Sequence, residues 1–194
     1  MARDRASRPN AKPLRLFVAV DVPGEARDVV QAAVAPLRER FPRAKWVPTQ
    51  NQHVTLKFLG STWPRLVEWV TETVAEVARA GEPFESRVNG VGAFPSARRA
   101  RVLWAGLDDP GGRMARVAAG LEQAMAREFA PEKRGFTAHL TVARFEPPVP
   151  LGEELDEAVA SATFVVDRLI LYRSHLQRPA PVYESLGEFP LGSG

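Results

Sequence analysis

The chain has 194 residues, 45% of them hydrophobic, no cysteine and a formal charge of +3. That length and apolar content suffice for one domain, or for two small lobes that share a core. Without cysteine there can be no disulfide, thiolate nucleophile or cysteine-held metal. No run of about 18 apolar residues offers a transmembrane helix, and the mild positive balance permits phosphate-rich ligands without requiring them.

Residues 1–13, "MARDRASRPNAKP", are basic and polar. No apolar stretch lies before a cleavage site, so they read as a disordered arm rather than a secretory signal, and a cytoplasmic location is the expectation. "LRLFVAVDVP" (14–23) reads as a buried strand closed by Asp21 and Pro23. Residues 25–40 have helical spacing on Val29, Val30, Ala33, Val34 and Leu37, with Pro36 expected to bend or end the helix. "AKWVPTQNQHVTLKFLG" predicts a short strand, a polar loop and a strand ending at Gly60. Residues 63–81 form an amphipathic helix, with Pro64 in its first turn and Gly81 just past its end.

"FESRVNGVGAF" and "RVLWAGLDD" read as strands joined by the basic loop "PSARRAR", and residues 111–130 as a further helix. "FTAHLTVARFE" is the next strand. After a proline-rich corner and a short helical piece, "TFVVDRLILYRS" and "APVYESLGEF" close the chain as a β-hairpin. The order β-α-β-β-α-β-β-α-β-(α)-β-β, frequent hairpin connections and the lack of a glycine-rich turn after the first strand argue against a doubly wound parallel sheet. They predict an α+β fold of antiparallel sheets with helices packed outside.

Two stretches share one frame: "HVTL" from His53 and "HLTV" from His139, in a chain with three histidines. On a strand, residues i and i+2 project from the same face. His53 and Thr55 therefore point together, as do His139 and Thr141, while Val54, Leu56, Leu140 and Val142 turn to a core. The repeat suggests two related halves. If their faces meet, a cleft holds two imidazoles and two hydroxyls. Imidazole titrates near neutrality, so one ring can serve as general base and the other as general acid in an in-line displacement at phosphorus. The hydroxyls can bond the non-bridging oxygens.

By strand parity Lys57 shares the face of His53. Phe58 and Arg144, each five residues past a motif histidine, point the other way unless a bulge or strand end intervenes. If they do reach the cleft, Phe58 can stack on a base and Arg144 can hold a phosphate. Arg98, Arg99 and Arg101 form a basic loop able to meet RNA phosphates. His175 reads as structural or surface, and the four tryptophans as core. No cluster has metal-ligand spacing, and no Gly-x-Ser-x-Gly elbow supports serine hydrolysis.

The paired motifs resemble the two His-x-Thr-x signatures of the 2H phosphoesterases. The blocks "RLFVAVDVP", "KWVPTQNQHVTLKFLG", "GVGAFPSARRARVLWAGL", "HLTVARF" and "LILYRSHLQRPAPVYESLGEFPL" are similar to the bacterial and archaeal RNA 2′,3′-cyclic phosphodiesterases, the 2′-5′ RNA ligase-like branch. The resemblance runs from about Leu14 to Leu191. It implies a single two-lobed, pseudo-symmetric domain over 14–191 with the active-site cleft between the lobes. It implies metal-independent hydrolysis of RNA 2′,3′-cyclic phosphate ends to 2′-phosphates, without a cofactor. It further implies His53 as proton donor to the leaving 3′ oxygen, His139 as proton acceptor from water, Thr55 and Thr141 on the phosphate, and an aromatic and an arginine near the substrate at Phe58 and Arg144. The expected partners are RNA 3′ ends or small cyclic-phosphate nucleotides, met by a monomer with no membrane. The alternatives are a 2′-5′ RNA ligase acting on tRNA-half-like ends, or a non-catalytic RNA or nucleotide-binding module. The family often has Phe-x-Pro-His before the second motif. Here Ala138 stands in place of the proline, which predicts a looser approach to the strand.

Overall fold

The run at Leu14–Asp21 forms strand β1, with Leu16, Val18 and Val20 fully in the core. The structure is a computed structural model that describes residues 12–152, 155 and 160–192. The helical region that follows is two pieces, α1 (Gly24–Ala33) and α2 (Ala35–Arg40). The break falls at Val34, two residues before Pro36. Proline lacks an N–H and its ring clashes with the preceding turn, so it can only stand in the first turn of a new helix.

Next come β2 (Lys45–Trp46), β3 (His53–Thr62) and α3 (Val67–Ala80), whose Val70, Val74 and Ala78 are buried. Then follow β4 (Phe84–Phe94), β5 (Ala100–Asp108) and α4 (Arg113–Met125). The last helix is shorter than its predicted span of 111–130. Gly111 and Gly112 have φ of 68° and 66°, a left-handed turn that other residues enter at a cost. The Asp109 carboxylate then accepts hydrogen bonds from the backbone N–H groups of Met114 (2.8 Å) and Ala115 (2.9 Å), which satisfies two otherwise unpaired donors of the first turn. The remaining strands are β6 (His139–Val149), β7 (Thr163–Val166), β8 (Arg168–His175) and β9 (Val182–Pro190).

The strands form one antiparallel sheet in the order β7-β4-β5-β6-β3-β1-β8-β9, with β2 added on β6. The sheet is two half-sheets, β6-β5-β4-β7 and β3-β1-β8-β9, whose seam is a single bridging pair, Val54 with Leu140. The α+β reading, with antiparallel strands and a repeated half, holds. The predicted closing hairpin is corrected in part. "TFVVDRLILYRS" is two strands, β7 pairing with β4 and β8 with β1, and only β8 and β9 form the hairpin. Asp167 separates them, and the buried positions shift phase across it, from Phe164 and Val166 to Leu169, Ile170 and Leu171. Because one residue joins strands from opposite halves, the sheet must curl.

A continuous apolar cluster joins both halves and the helices, with Leu16, Val54, Leu103, Leu121 and Leu140 among its fully enclosed members. The tryptophans are less buried than expected. Trp46, Trp69 and Trp104 are half-buried, and Trp63 is 48% exposed. The short helical piece placed after the proline-rich corner, Leu155 apart, and most of the N-terminal arm lie outside the described residues. Among the described residues no helix is long and apolar enough to cross a membrane.

Candidate active site

The two His-x-Thr frames begin the two strands at the seam. Because Val54 pairs with Leu140 antiparallel, His53 lies across from Thr141 and Thr55 across from His139. The local pseudo-two-fold axis passes between the two apolar residues. Each histidine is thus neighbour to the other motif's hydroxyl.

Both rings are held alike. Nδ1 of His53 lies 2.8 Å from the Asn51 carbonyl oxygen, and Nδ1 of His139 lies 2.8 Å from that of Thr137. A carbonyl can only accept, so each Nδ1 carries a proton and each Nε2 is left to take or give one. Aromatic rings fix the imidazole planes. Phe17 stacks on His53 at 4.7 Å and Tyr183 meets it edge-on at 5.2 Å. Phe94 meets His139 edge-on at 5.3 Å, with Trp104 beyond it at 6.4 Å. Trp104 in turn lies over Gly92, where a Cβ would come within 2.3 Å of the indole.

The enclosure of His53 has an electrostatic effect. Burial disfavours the imidazolium and pushes its pKa down to about 4. The Asn51 carbonyl and Asp21 oppose this shift, whereas Arg27 and His139 add to it.

A cavity of about 380 Å³ is bordered by His53, Thr55, His139, Thr141, Phe58 and Arg144 together. Phe58 and Arg144 therefore stand where simple parity did not put them. In β3 the register against β1 slips between Thr55 and Lys57, and in β6 the register against β5 slips between Thr141 and Ala143. At these slips each strand carries one extra residue, Leu56 in β3 and Val142 in β6, and the bulge reverses the alternation through Phe58 and Arg144. The two strands share the same run of exposure through their first seven residues.

The same bulge corrects the placement of Lys57. Its side chain is fully buried away from this cavity, with Nζ 2.7 Å from Glu122 Oε2 on α4 and 3.2 Å from the Ala130 carbonyl. The equivalent residue in the other half is Ala143. Arg98, Arg99 and Arg101 do not border the cavity, and His175 is paired with Glu184 at 2.7 Å. Ala138 is tied down despite the missing proline, since its carbonyl accepts from the Leu107 N–H at 3.1 Å.

Sequence reading missed Arg15, Phe17 and Tyr183, all on the cavity wall. Arg15 and Phe17 share a face of β1 by the i, i+2 rule, a signal hidden by reading the whole run as buried. The Arg15 guanidinium lies 4.6 Å from the Phe58 ring centroid, a cation–π contact. Arg144 and Arg15 both act electrostatically on Tyr183, against the larger effect of burial that raises its pKa. The cavity therefore joins two proton-transfer groups, two free hydroxyls and two guanidinium groups, a set suited to an anionic phosphodiester.

The model of the 2′-5′ RNA ligase superfamily matches residues 26–178. The chain belongs to that superfamily. Relatives within it include an RNA 2′,3′-cyclic phosphodiesterase of Methanothermobacter thermautotrophicus, 31% identical over 92% of this chain and 99% of the relative. One from Thermus thermophilus is 32% identical over 92% and 90%. A Geobacillus stearothermophilus protein of the same name is 28% identical over 90% of this chain, which spans 56% of that relative's length. Among solved structures, a Thermus thermophilus protein superposes with a TM-score of 0.77 at 30% identity, covering 92% of this chain and 98% of the other. The E. coli LigT complex with 3′-AMP shares the fold, with a TM-score of 0.70 at 23% identity over 92% and 98%.

Proposed function

We propose that this superfamily member hydrolyses 2′,3′-cyclic phosphate at RNA 3′ ends to a 2′-phosphate, without a metal. The observation that carries this reading is the pair of imidazoles, each with Nδ1 tied to the carbonyl two residues back, bordering one cavity with both motif threonines. His139 takes the proton of the attacking water through Nε2. His53 gives a proton to the departing 3′ oxygen. Thr55 and Thr141 donate hydrogen bonds to the non-bridging oxygens, and Arg144 adds charge. Curated relatives named RNA 2′,3′-cyclic phosphodiesterase support the same substrate class.

His53 must be protonated to act as the acid, yet burial in the folded chain favours its neutral form. The substrate resolves this conflict. A phosphodiester anion beside an enclosed imidazole favours the imidazolium, so substrate and proton enter together.

The test is to incubate the full chain, in EDTA, with a short RNA ending in a 2′,3′-cyclic phosphate. The expected result is conversion to a 2′-phosphate, with His53→Ala and His139→Ala each losing about 10²–10⁴-fold or more in rate. Near-unchanged turnover in both variants overturns the reading.

A further inference from the structure

Asn51 stands two residues before His53, at the end of the single 3₁₀ turn Thr49–Asn51 that leads into β3. Its polar groups reach three different parts of the chain. The backbone N–H donates to the Pro48 carbonyl at 2.8 Å, and the backbone carbonyl accepts from His53 Nδ1 at 2.8 Å. The side-chain Nδ2 donates to the Pro181 carbonyl at 2.7 Å, across 130 residues of sequence. We propose that Asn51 is a positioning residue for the proton donor: its side chain, anchored on Pro181, holds in place both the carbonyl that bonds the His53 ring and the turn that brings Tyr183 against that ring. The inference rests on the role of His53 given above.

A 3₁₀ turn closes on hydrogen bonds of poor geometry, so the carbonyl that meets Nδ1 needs support from outside its own turn. The segment that supplies this support has the same need. Residues 176–181, between β8 and β9, include Pro179 and Pro181, which have no N–H to donate. Among the described residues no backbone hydrogen bond lies within 176–181. Bonding the two segments to each other steadies both. The contact is enclosed, since Asn51 is only 9% exposed, and a buried amide left without a partner is costly. Two residues past Pro181, Tyr183 meets the His53 ring edge-on at 5.2 Å and Phe17 at 5.1 Å.

The second motif is supported differently. Thr137 presents the carbonyl for His139, and the next residue, Ala138, is tied through its backbone by the 3.1 Å bond from the Leu107 N–H. A change at residue 51 therefore acts on one histidine and spares the other. A carbonyl on Nδ1 stabilises the imidazolium, the form that the donor needs. The other titratable or charged groups around the ring are Asp21 on β1, Arg27 on α1, His139 on β6, Tyr172 on β8 and Tyr183 on β9. None of them bonds Nδ1, so nothing replaces the carbonyl if it drifts.

The experiment uses the full chain with Asn51→Leu, which keeps the volume and removes the donor. Gln52→Ala is the comparison, because Gln52 is buried next to Asn51 and bonds Gln31 at 3.2 Å rather than His53. Both variants should lose thermal stability, so stability alone does not separate them. With adenosine 2′,3′-cyclic phosphate, Asn51→Leu should lower kcat about 10–100-fold at pH 7 with KM little changed. The falling limb of kcat at high pH reports the acid in the complex. It should move down by about half to one pH unit, the worth of one hydrogen bond to the ring. The rising limb, which reports His139, should stay, and Gln52→Ala should keep both limbs. Long-range ¹⁵N–¹H spectra of the imidazoles give a readout without substrate. Neutral His53 should carry its proton on Nδ1 in the wild type, and Asn51→Leu should shift His53 alone toward the form protonated on Nε2. An unmoved falling limb or an unmoved tautomer in Asn51→Leu, or an equal displacement in Gln52→Ala, overturns the assignment. If the wild type does not open the cyclic phosphate, the functional reading fails by itself, and the tautomer comparison still decides the role of Asn51.

Discussion

His53 is stacked by Phe17 and edged by Tyr183, and enclosure lowers its pKa from 6.5 to about 4. An unfolded chain therefore binds a proton at this residue as the pH falls through 6.5, whereas the folded chain resists until about 4. Stability is unaffected by this group above 6.5 and is lost progressively between 6.5 and 4, by on the order of 3 kcal/mol at most. In urea melts across that window, His53→Gln should lose less stability than the wild type, and identical slopes would exclude this source. The same proton has a counterpart in binding. If the phosphate restores it, inorganic phosphate or a 2′-nucleotide should bind at pH 7 with net proton uptake, and His53→Gln should show less. Calorimetry in two buffers of different ionisation enthalpy reads this directly. At this scale the sequence was generous. The two histidines and two threonines were legible because a rare residue recurred in one frame, whereas Arg15 and Tyr183 were not, since neither lies in a repeat.

Elements explain what single residues could not. Neither bulge at the seam is marked by glycine or proline, so two-residue periodicity carried straight through them. It placed Phe58 and Arg144 on the wrong face and Lys57 in the cleft. What the bulge in β3 does with Lys57 is tie β3 to α4 through Glu122 and to the following turn through the Ala130 carbonyl. The pair is asymmetric, with side-chain exposures of 0% for Lys57 and 25% for Glu122. Removing Glu122 strands a wholly enclosed ammonium, while removing Lys57 leaves a carboxylate that water can reach. Glu122→Ala should therefore cost about 3–5 kcal/mol and Lys57→Met distinctly less, with the paired apolar replacement Lys57→Met/Glu122→Leu close to neutral. Chemical denaturation of the three variants checks the order. At the start of α4, Asp109→Ala removes the acceptor for two N–H groups and should cost about 0.5–2 kcal/mol.

For the whole molecule, helix and strand order was legible because apolar spacing encodes it, but the partition of strands between halves was not. Nothing in "TFVVDRLILYRS" announces that Val166 and Arg168 serve opposite ends of the sheet, because pairing across the molecule is decided by which edges remain open. The seam has a similar economy: one pair, Val54 and Leu140, both fully buried, joins the halves. Leu140→Ala should cost about 2–5 kcal/mol by leaving a void there, and thermal melting would show it as one cooperative loss. The placement of the last strands also has a consequence for synthesis. As the chain leaves the ribosome, β1 waits for β8 and β4 waits for β7, so neither half can close its edge until the final thirty or so residues emerge. The repeat in the sequence thus does not yield two units that mature in turn. A nascent chain halted before Thr163 would hold both motifs and still have two open strand edges, the form most exposed to aggregation and to chaperone capture.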